Sequence, residues 1–288
     1  MKRNAFIAVD WGTTNRRAYL IVDGSVTRSE RDDRGVSAIA PGGFADEIAA
    51  IRRRFGDLPM LLAGMVGSNI GWRAVNYVRT PAALPALAAG VDWVDKRTAI
   101  VPGLSCIADD HADVMRGEEV QMLGAAIANM VPTDALLCQP GTHCKWATLR
   151  NAEITHFTTA MTGELFALLR LHSLIAPQLA GPVTAGTAFR AGVTEGARGD
   201  LAARLFAIRA RAVLGIDDDD SASYASGLLI GSDVSVRVKD GERVYVLAEP
   251  ALGLLYQIAI ETLGATARIV DSEAAFIAGI TRLWELLK

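Results

Sequence analysis

One short stretch carries residue types and spacing that suit a charged phosphate. It reads Ile7-Ala8-Val9-Asp10-Trp11-Gly12-Thr13-Thr14-Asn15-Arg16-Arg17. The apolar run before Asp10 predicts a buried strand that delivers this carboxylate to its exposed end. A carboxylate there can hold Mg²⁺, usually through water, because hard cations take oxygen ligands. Gly12 lets the backbone approach an anion closely, and Thr13 and Thr14, followed by Asn15, supply amides and hydroxyls. Arg17 opens the next strand and points positive charge back at the same place. An ordinary Gly-Thr turn after an edge strand shares part of this pattern, but not its whole length.

A second Gly-Thr turn follows much later, in Gln139-Pro140-Gly141-Thr142-His143-Cys144-Lys145-Trp146. His143 and Lys145 stand where they could face a phosphate. His143 equally suits a hydrogen-bonded structural role.

The elements around both turns agree. The first turn lies between strands predicted at 6–9 and 17–22. Asp23-Gly24 is a strong hairpin signal and leads to a third strand at 25–29. After Pro132 the order returns: strands at 135–138, 144–149 and 153–157, again with Gly-Thr in the first turn. This is the pattern of a diverged internal duplication. It divides the chain into residues 1–130 and 131–288. Helical spacing of Phe44, Ile48, Ile51 and Phe55 predicts a helix over 44–55. Further helices are expected at 118–130, 163–173, 202–214, 222–230, 252–263 and 273–287, with strands at 60–63, 244–247 and 268–270. The acidic run 217–220 reads as a solvated loop that also sets carboxylates at the start of the next helix.

Composition narrows the function classes. The 288 residues include 29 Lys and Arg against 32 Asp and Glu, a net charge of −3, with 51% apolar residues. That excludes a disordered chain and leaves no basic excess for a general nucleic-acid partner. Apolar runs fall short of the ~20 residues of a membrane span, and no signal peptide is apparent. A cytoplasmic protein without a membrane partner is expected, with a homodimer as the base-rate oligomer. Cys106, Cys138 and Cys144 form no CxxC pair and read as small buried thiols. His111, His156 and His172 show no zinc spacing and read as structural.

The Asp10 segment resembles the first phosphate hairpin of the actin, hexokinase and Hsp70 superfamily of ATP-using proteins. The Gly141 segment resembles its second. More narrowly, these two, with Gly64-Met65-Val66-Gly67-Ser68, Gly71-Trp72, Asp113-Val114-Met115-Arg116-Gly117-Glu118-Glu119 and Met161-Thr162-Gly163-Glu164-Leu165-Phe166, resemble the 2-dehydro-3-deoxygalactonokinase family in order and over essentially the whole chain. The chain departs from the superfamily pattern at Gln139 and Cys144, where an aliphatic residue and a serine are common. The glycine pair expected after strand 244–247 is also missing.

The resemblance implies an α/β protein of two RNase H-like (actin-like ATPase) domains flanking an interdomain cleft. It implies a kinase that uses ATP and Mg²⁺ to phosphorylate the 6-hydroxyl of a sugar acid, 2-dehydro-3-deoxy-D-galactonate. Asp10 would hold the metal. Gly12, Thr13, Thr14, Asn15, Arg17, Gly141, Thr142, His143 and Lys145 would bind ATP phosphates. Asp113 would be the catalytic base, as the superfamily's order of strand end, helix and second hairpin suggests; a helix N-cap is its plainer role. Ser68, Trp72, Arg116 and Glu164 would contact the sugar acid. Arg116 is favoured for its carboxylate over Arg73 and Lys145, because a guanidinium fork fits a carboxylate. A same-fold kinase for another sugar and a regulatory actin-like ATP-binding protein stay open as alternatives.

Overall fold

The structure, a computed structural model, describes residues 4–108, 111–216 and 220–288. It begins with a meander of three strands. β1 (Ala5–Trp11) pairs antiparallel with β2 (Arg16–Val22), and β2 with β3 (Ser25–Asp32). β1 is mostly buried, as its apolar run from Ala5 to Val9 requires. Helix α1 (Phe44–Phe55) buries Phe44, Ile48, Ile51 and Phe55, the stripe that spacing predicts. Its acids sit in the first turn and its arginines in the last, which suits the helix dipole. The chain then enters β4 (Met60–Gly64), wholly buried and parallel to β1.

Next come β5 (Val78–Arg79), α2 (Leu84–Ala89), β6 (Asp92–Asp95), β7 (Thr98–Ile100), β8 (Leu104–Ala108), β9 (His111–Met115) and α3 (Glu118–Ile127). The first sheet has the order β3-β2-β1-β4-β7-β6, and β5-β8-β9 form a separate small sheet. Helix α3 stops short of the expected 118–130. Asn129 takes a left-handed φ of 55° just past its end, a conformation that terminates helices.

The later elements are β10 (Ala135–Gln139), β11 (Cys144–Arg150), β12 (Glu153–Ala160), α4 (Thr162–His172), α5 (Thr187–Ala197), α6 (Leu201–Val213), α7 (Ser221–Ser235), β13 (Arg243–Leu247), α8 (Pro250–Thr262), β14 (Thr266–Val270) and α9 (Ser272–Leu286). Their sheet has the order β12-β11-β10-β13-β14. Third, second, first, fourth, fifth is also the order of β3-β2-β1-β4-β7. In both sheets the fourth and fifth strands run parallel to the first. The α/β class expected from the sequence is therefore present, and one strand order is used twice. Of the acidic run, Asp217–Asp219 lie outside the described residues; Asp220 takes the N-cap position of α7 without a side-chain bond.

The chain forms two compact units. One comprises Met1–Asp134, Leu149–Phe157 and Ser272–Lys288; the other comprises Ala135–Thr148 and Thr158–Asp271. The last helix joins the first unit for a packing reason. Trp284 stacks on Phe6 at 4.8 Å, and Phe276 meets Tyr19 at 5.8 Å. The Trp284 indole N–H also donates to Asn4 Oδ1 at 3.1 Å. The first core holds Ile7, Val9, Trp11, Ile51 and Leu62. The second holds Cys138, Trp146, Phe189, Val246 and Tyr256.

Candidate functional site

In the first unit, Asp10, Gly12, Thr13, Thr14, Asn15 and Arg17 line one cavity of about 220 Å³ together with Arg31. The Gly12 amide donates to Asn15 O at 2.9 Å and closes the turn. A second layer holds it from behind. The amides of Val36, Ser37 and Gly35 donate to the carbonyls of Gly12, Thr13 and Thr14 at 3.0, 3.1 and 3.1 Å. With those carbonyls occupied, the loop offers the cavity amides and hydroxyls, the donors a phosphate needs. Burial pushes the Asp10 carboxyl up to about 6; Arg17 opposes the shift, while Glu118 and Glu273 add to it.

Arg31 is a cavity residue that sequence reasoning missed. It lies on β3 directly opposite Arg17. Counting back from the Asp23-Gly24 turn does not reveal this, because an irregularity between Leu20 and Ile21 shifts the register.

In the second unit, the Gly141-Thr142-His143 hairpin is locked to the start of α4. A Cβ on Gly163 would stand 2.3 Å from Gly141 O, so only glycine permits this approach. The Glu164 amide donates to Thr142 O at 2.8 Å, and Glu164 Oε2 lies 2.6 Å from His143 Nε2. Lys145 is buried, and its ammonium donates to Thr159 Oγ1 at 2.8 Å.

The residues expected to face a sugar are all in the first unit except Glu164. Ser68 is buried, and its hydroxyl donates to Met65 O at 2.7 Å. Trp72 stacks over Phe44 at 6.3 Å and lines a cavity of about 440 Å³ beside α1. Arg116 is 8% exposed. One guanidinium nitrogen, NH2, donates to Val75 O at 2.7 Å, and the group lies 4.3 Å over the Tyr77 ring. Its Nε and NH1 have no hydrogen-bond partner among the described residues. A Cβ at Gly67 would come within 2.9 Å of NH1.

Asp113 stands on β9 opposite Cys106 of β8. It is not at a helix start, since α3 begins at Glu118 with Gly117 in the N-cap position. Asp113 Oδ1 accepts the Val114 amide at 2.7 Å, and Oδ2 lies 3.7 Å from His111 Nε2. His111 Nε2 is also 3.1 Å from Phe157 O. A carbonyl only accepts, so that nitrogen carries the hydrogen. The His156 ring is 5.2 Å from the His111 ring, and its Nδ1 is 3.3 Å from Cys106 Sγ. His111 thus stands beside Asp113, and His156 packs against His111 and Cys106. No sequence spacing signals the contacts of His156 with Cys106 and His111, which join residues about 45 to 50 positions apart.

Among the described residues, no three or more His, Cys, Asp or Glu side chains are grouped to hold a metal ion. A single carboxylate in a polar cavity does suit Mg²⁺, which keeps waters and takes oxygens from substrate phosphates. No helix among the described residues is long and apolar enough to cross a membrane.

A family model described as 2-keto-3-deoxy-galactonokinase matches residues 10–283. The chain is 36% identical over 282 residues to the 2-dehydro-3-deoxygalactonokinase of Escherichia coli, covering 96% of each chain. A crystal structure of a Sinorhizobium meliloti protein, described as a candidate 2-dehydro-3-deoxygalactonokinase, is 32% identical with a TM-score of 0.89, over 96% of this chain and 97% of that one. The activator of 2-hydroxyisocaproyl-CoA dehydratase from Clostridium difficile, solved with ADPNP, gives a TM-score of 0.50 at 9% identity, over 98% and 94% of the two chains. That last likeness speaks for the fold alone.

Proposed function

The chain belongs to the 2-keto-3-deoxy-galactonokinase family, and from that premise we propose that it transfers the γ-phosphoryl group of ATP to the 6-hydroxyl of 2-dehydro-3-deoxy-D-galactonate. The products are the 6-phospho acid and ADP. Arg116 carries this reading for an acidic substrate. A buried guanidinium with two unpartnered nitrogens is costly unless an anion completes it. The substrate carboxylate supplies that anion, and Tyr77 holds the guanidinium plane in place.

Phosphoryl transfer needs positioning and charge stabilisation more than covalent chemistry. Gly12 to Asn15, Arg17 and Arg31 bind phosphate oxygens from the first hairpin. Gly141, Thr142 and His143 bind them from the second. Lys145 adds positive charge from beneath that hairpin. Asp10 would hold Mg²⁺, and the ion would supply neutralisation of phosphate charge there. Asp113 takes the proton of the 6-hydroxyl as its oxygen bonds to the γ-phosphorus and the bond to the ADP oxygen breaks. Glu164 orients sugar hydroxyls, and Ser68 and Trp72 shape the segment beside Arg116. A cytoplasmic setting, where thiols stay reduced, suits the three free cysteines.

The test measures ADP formation with MgATP and one of four additions: the galactonate acid, its gluconate epimer, neutral hexoses, or no acceptor. Turnover that requires the galactonate acid is expected. Turnover without any acceptor would mark an ATPase, and hexose turnover without response to the acid would reject the substrate.

A further inference from the structure

Asp233, on the last turn of α7, is a buried carboxylate that the reaction itself does not use. Its side chain is 3% exposed. Oδ2 accepts the Thr162 hydroxyl at 3.0 Å and the Trp146 indole N–H at 3.3 Å. The Cys144 thiol interacts with the same carboxylate and stands 3.6 Å from Cys138 Sγ. Arg237 NH1 stands 2.7 Å from Oδ1 and donates to the Asp233 carbonyl at 2.8 Å.

These partners are not scattered. Cys144 and Trp146 belong to β11, the strand that leaves the second Gly-Thr hairpin. Thr162 is the first residue of α4, next to Gly163, which lies against Gly141, and Glu164, whose amide holds Thr142 O. Asp233 thus grips the hairpin from the strand side and from the helix side at once. A charge in this core is an expensive way to fill space, because a well-packed apolar residue commonly serves stability as well or better. What a carboxylate adds is direction: it holds several donors at fixed positions.

We propose that Asp233 is the positioning residue of the second phosphate hairpin, setting the first turn of α4 against Gly141, Thr142 and His143 so that the hairpin is formed before nucleotide arrives. This rests on the reading that the hairpin binds ATP phosphates. Thr162 is the link through which Asp233 acts on α4, and the Cys144 thiol is the link nearest the hairpin. The serine-to-cysteine departure at position 144 is then a thiol aimed into the core.

The test is calorimetric titration of the full-length protein with the non-hydrolysable analogue AMPPNP and Mg²⁺, without sugar acid, alongside melting temperature. Asp233→Leu and Thr162→Val are each expected to weaken Kd at least tenfold. Asp233→Asn, which keeps an oxygen for Thr162 and Trp146, is expected to stay within threefold of the parent chain. The double variant Asp233→Leu/Thr162→Val should bind no worse than Asp233→Leu alone, because both act along one path. A purely structural carboxylate would lower the melting temperature and leave Kd alone; that result overturns the proposal. Should Asp233→Leu fail to fold, Thr162→Val decides, and an unchanged Kd there overturns it equally. Thr142→Ala serves as the reference. A weakened Kd in Thr142→Ala with an unchanged Kd in Asp233→Leu overturns the positioning role alone. An unchanged Kd in Thr142→Ala removes the phosphate reading, and the proposal with it.

Discussion

Asp10 and Arg17 are cross-strand partners, opposed on β1 and β2 one pair away from the Gly12–Asn15 turn. The arginine works against the burial that raises the Asp10 carboxyl. It thereby favours the anionic form of an enclosed carboxylate that lines the same cavity as Gly12–Asn15. Asp10→Asn is expected to weaken Mg²⁺ dependence of the rate by about 10–100-fold, the scale for a carboxylate acting through metal-bound water. Excess Mg²⁺ should restore part of the lost rate. A Mg²⁺ titration that superimposes on the parent chain's would exclude Asp10 from the metal.

Arg116 should show opposite effects on binding and on stability. Hydrogen bonds to charged groups contribute about 1.5–3 kcal/mol, so Arg116→Met should raise KM for the sugar acid roughly 10- to 150-fold. KM for ATP should stay within twofold. Removing a buried charge whose Nε and NH1 lack hydrogen-bond partners among the described residues should also raise the melting temperature of the ligand-free protein. Equal sugar-acid KM values in the two proteins would dissociate Arg116 from the carboxylate.

The proposed base, Asp113, can be told apart from Glu118. Asp113→Asn should lower kcat by about 10²–10⁴, the usual contribution of general base catalysis, and leave AMPPNP binding intact. Glu118 sits at the start of α3, bonded to the Arg116 amide, and its charge acts on Asp10. Glu118→Gln should therefore change Mg²⁺ dependence more than kcat. An unaltered kcat in Asp113→Asn, with loss in Glu118→Gln, would move the base to Glu118.

Glu119 predicts a pH effect on folding. Its carboxyl is fully buried and pushed up from 4.5 to about 8, by burial first and then by Glu118; bonds from its own amide and the Gly117 amide and the charge of Arg116 oppose this. In the unfolded chain the group loses its proton near its ordinary value. Between that value and about 8 the folded protein holds a proton that the unfolded chain has released. Stability should therefore fall as pH rises through this window, by about 1.4 kcal/mol per unit of pKa difference. Urea unfolding at pH 5 and pH 8 should show that loss, and Glu119→Gln should flatten it. Matching slopes in the two proteins would count against a protonated Glu119.

Local signals were legible and distant ones were not. The Asp10 turn, α1 and the repeated strand order could be read because strand polarity, helix spacing and Gly-Thr turns act over a few residues. The segment from Asp92 to Met115 was opaque: its four strands are three to five residues long, too short for periodicity to register. Arg116 was identifiable as a cation, but its burial depends on Val75, Gly67 and Tyr77, some forty to fifty positions away. Arg31 hid in an exposed strand of mixed charge, behind a register shift. The contacts of His156 with Cys106 and His111, and of Trp146 and Thr162 with Asp233, exist only after the chain has closed on itself.

That closure has an order. The first unit needs α9, whose Trp284 stacks on Phe6 and whose Phe276 meets Tyr19. During synthesis the earliest strands leave the ribosome long before those two rings exist. The unit whose strands are made first is therefore closed only after the other has been made, and until α9 emerges those strands lack the two rings that cover Phe6 and Tyr19.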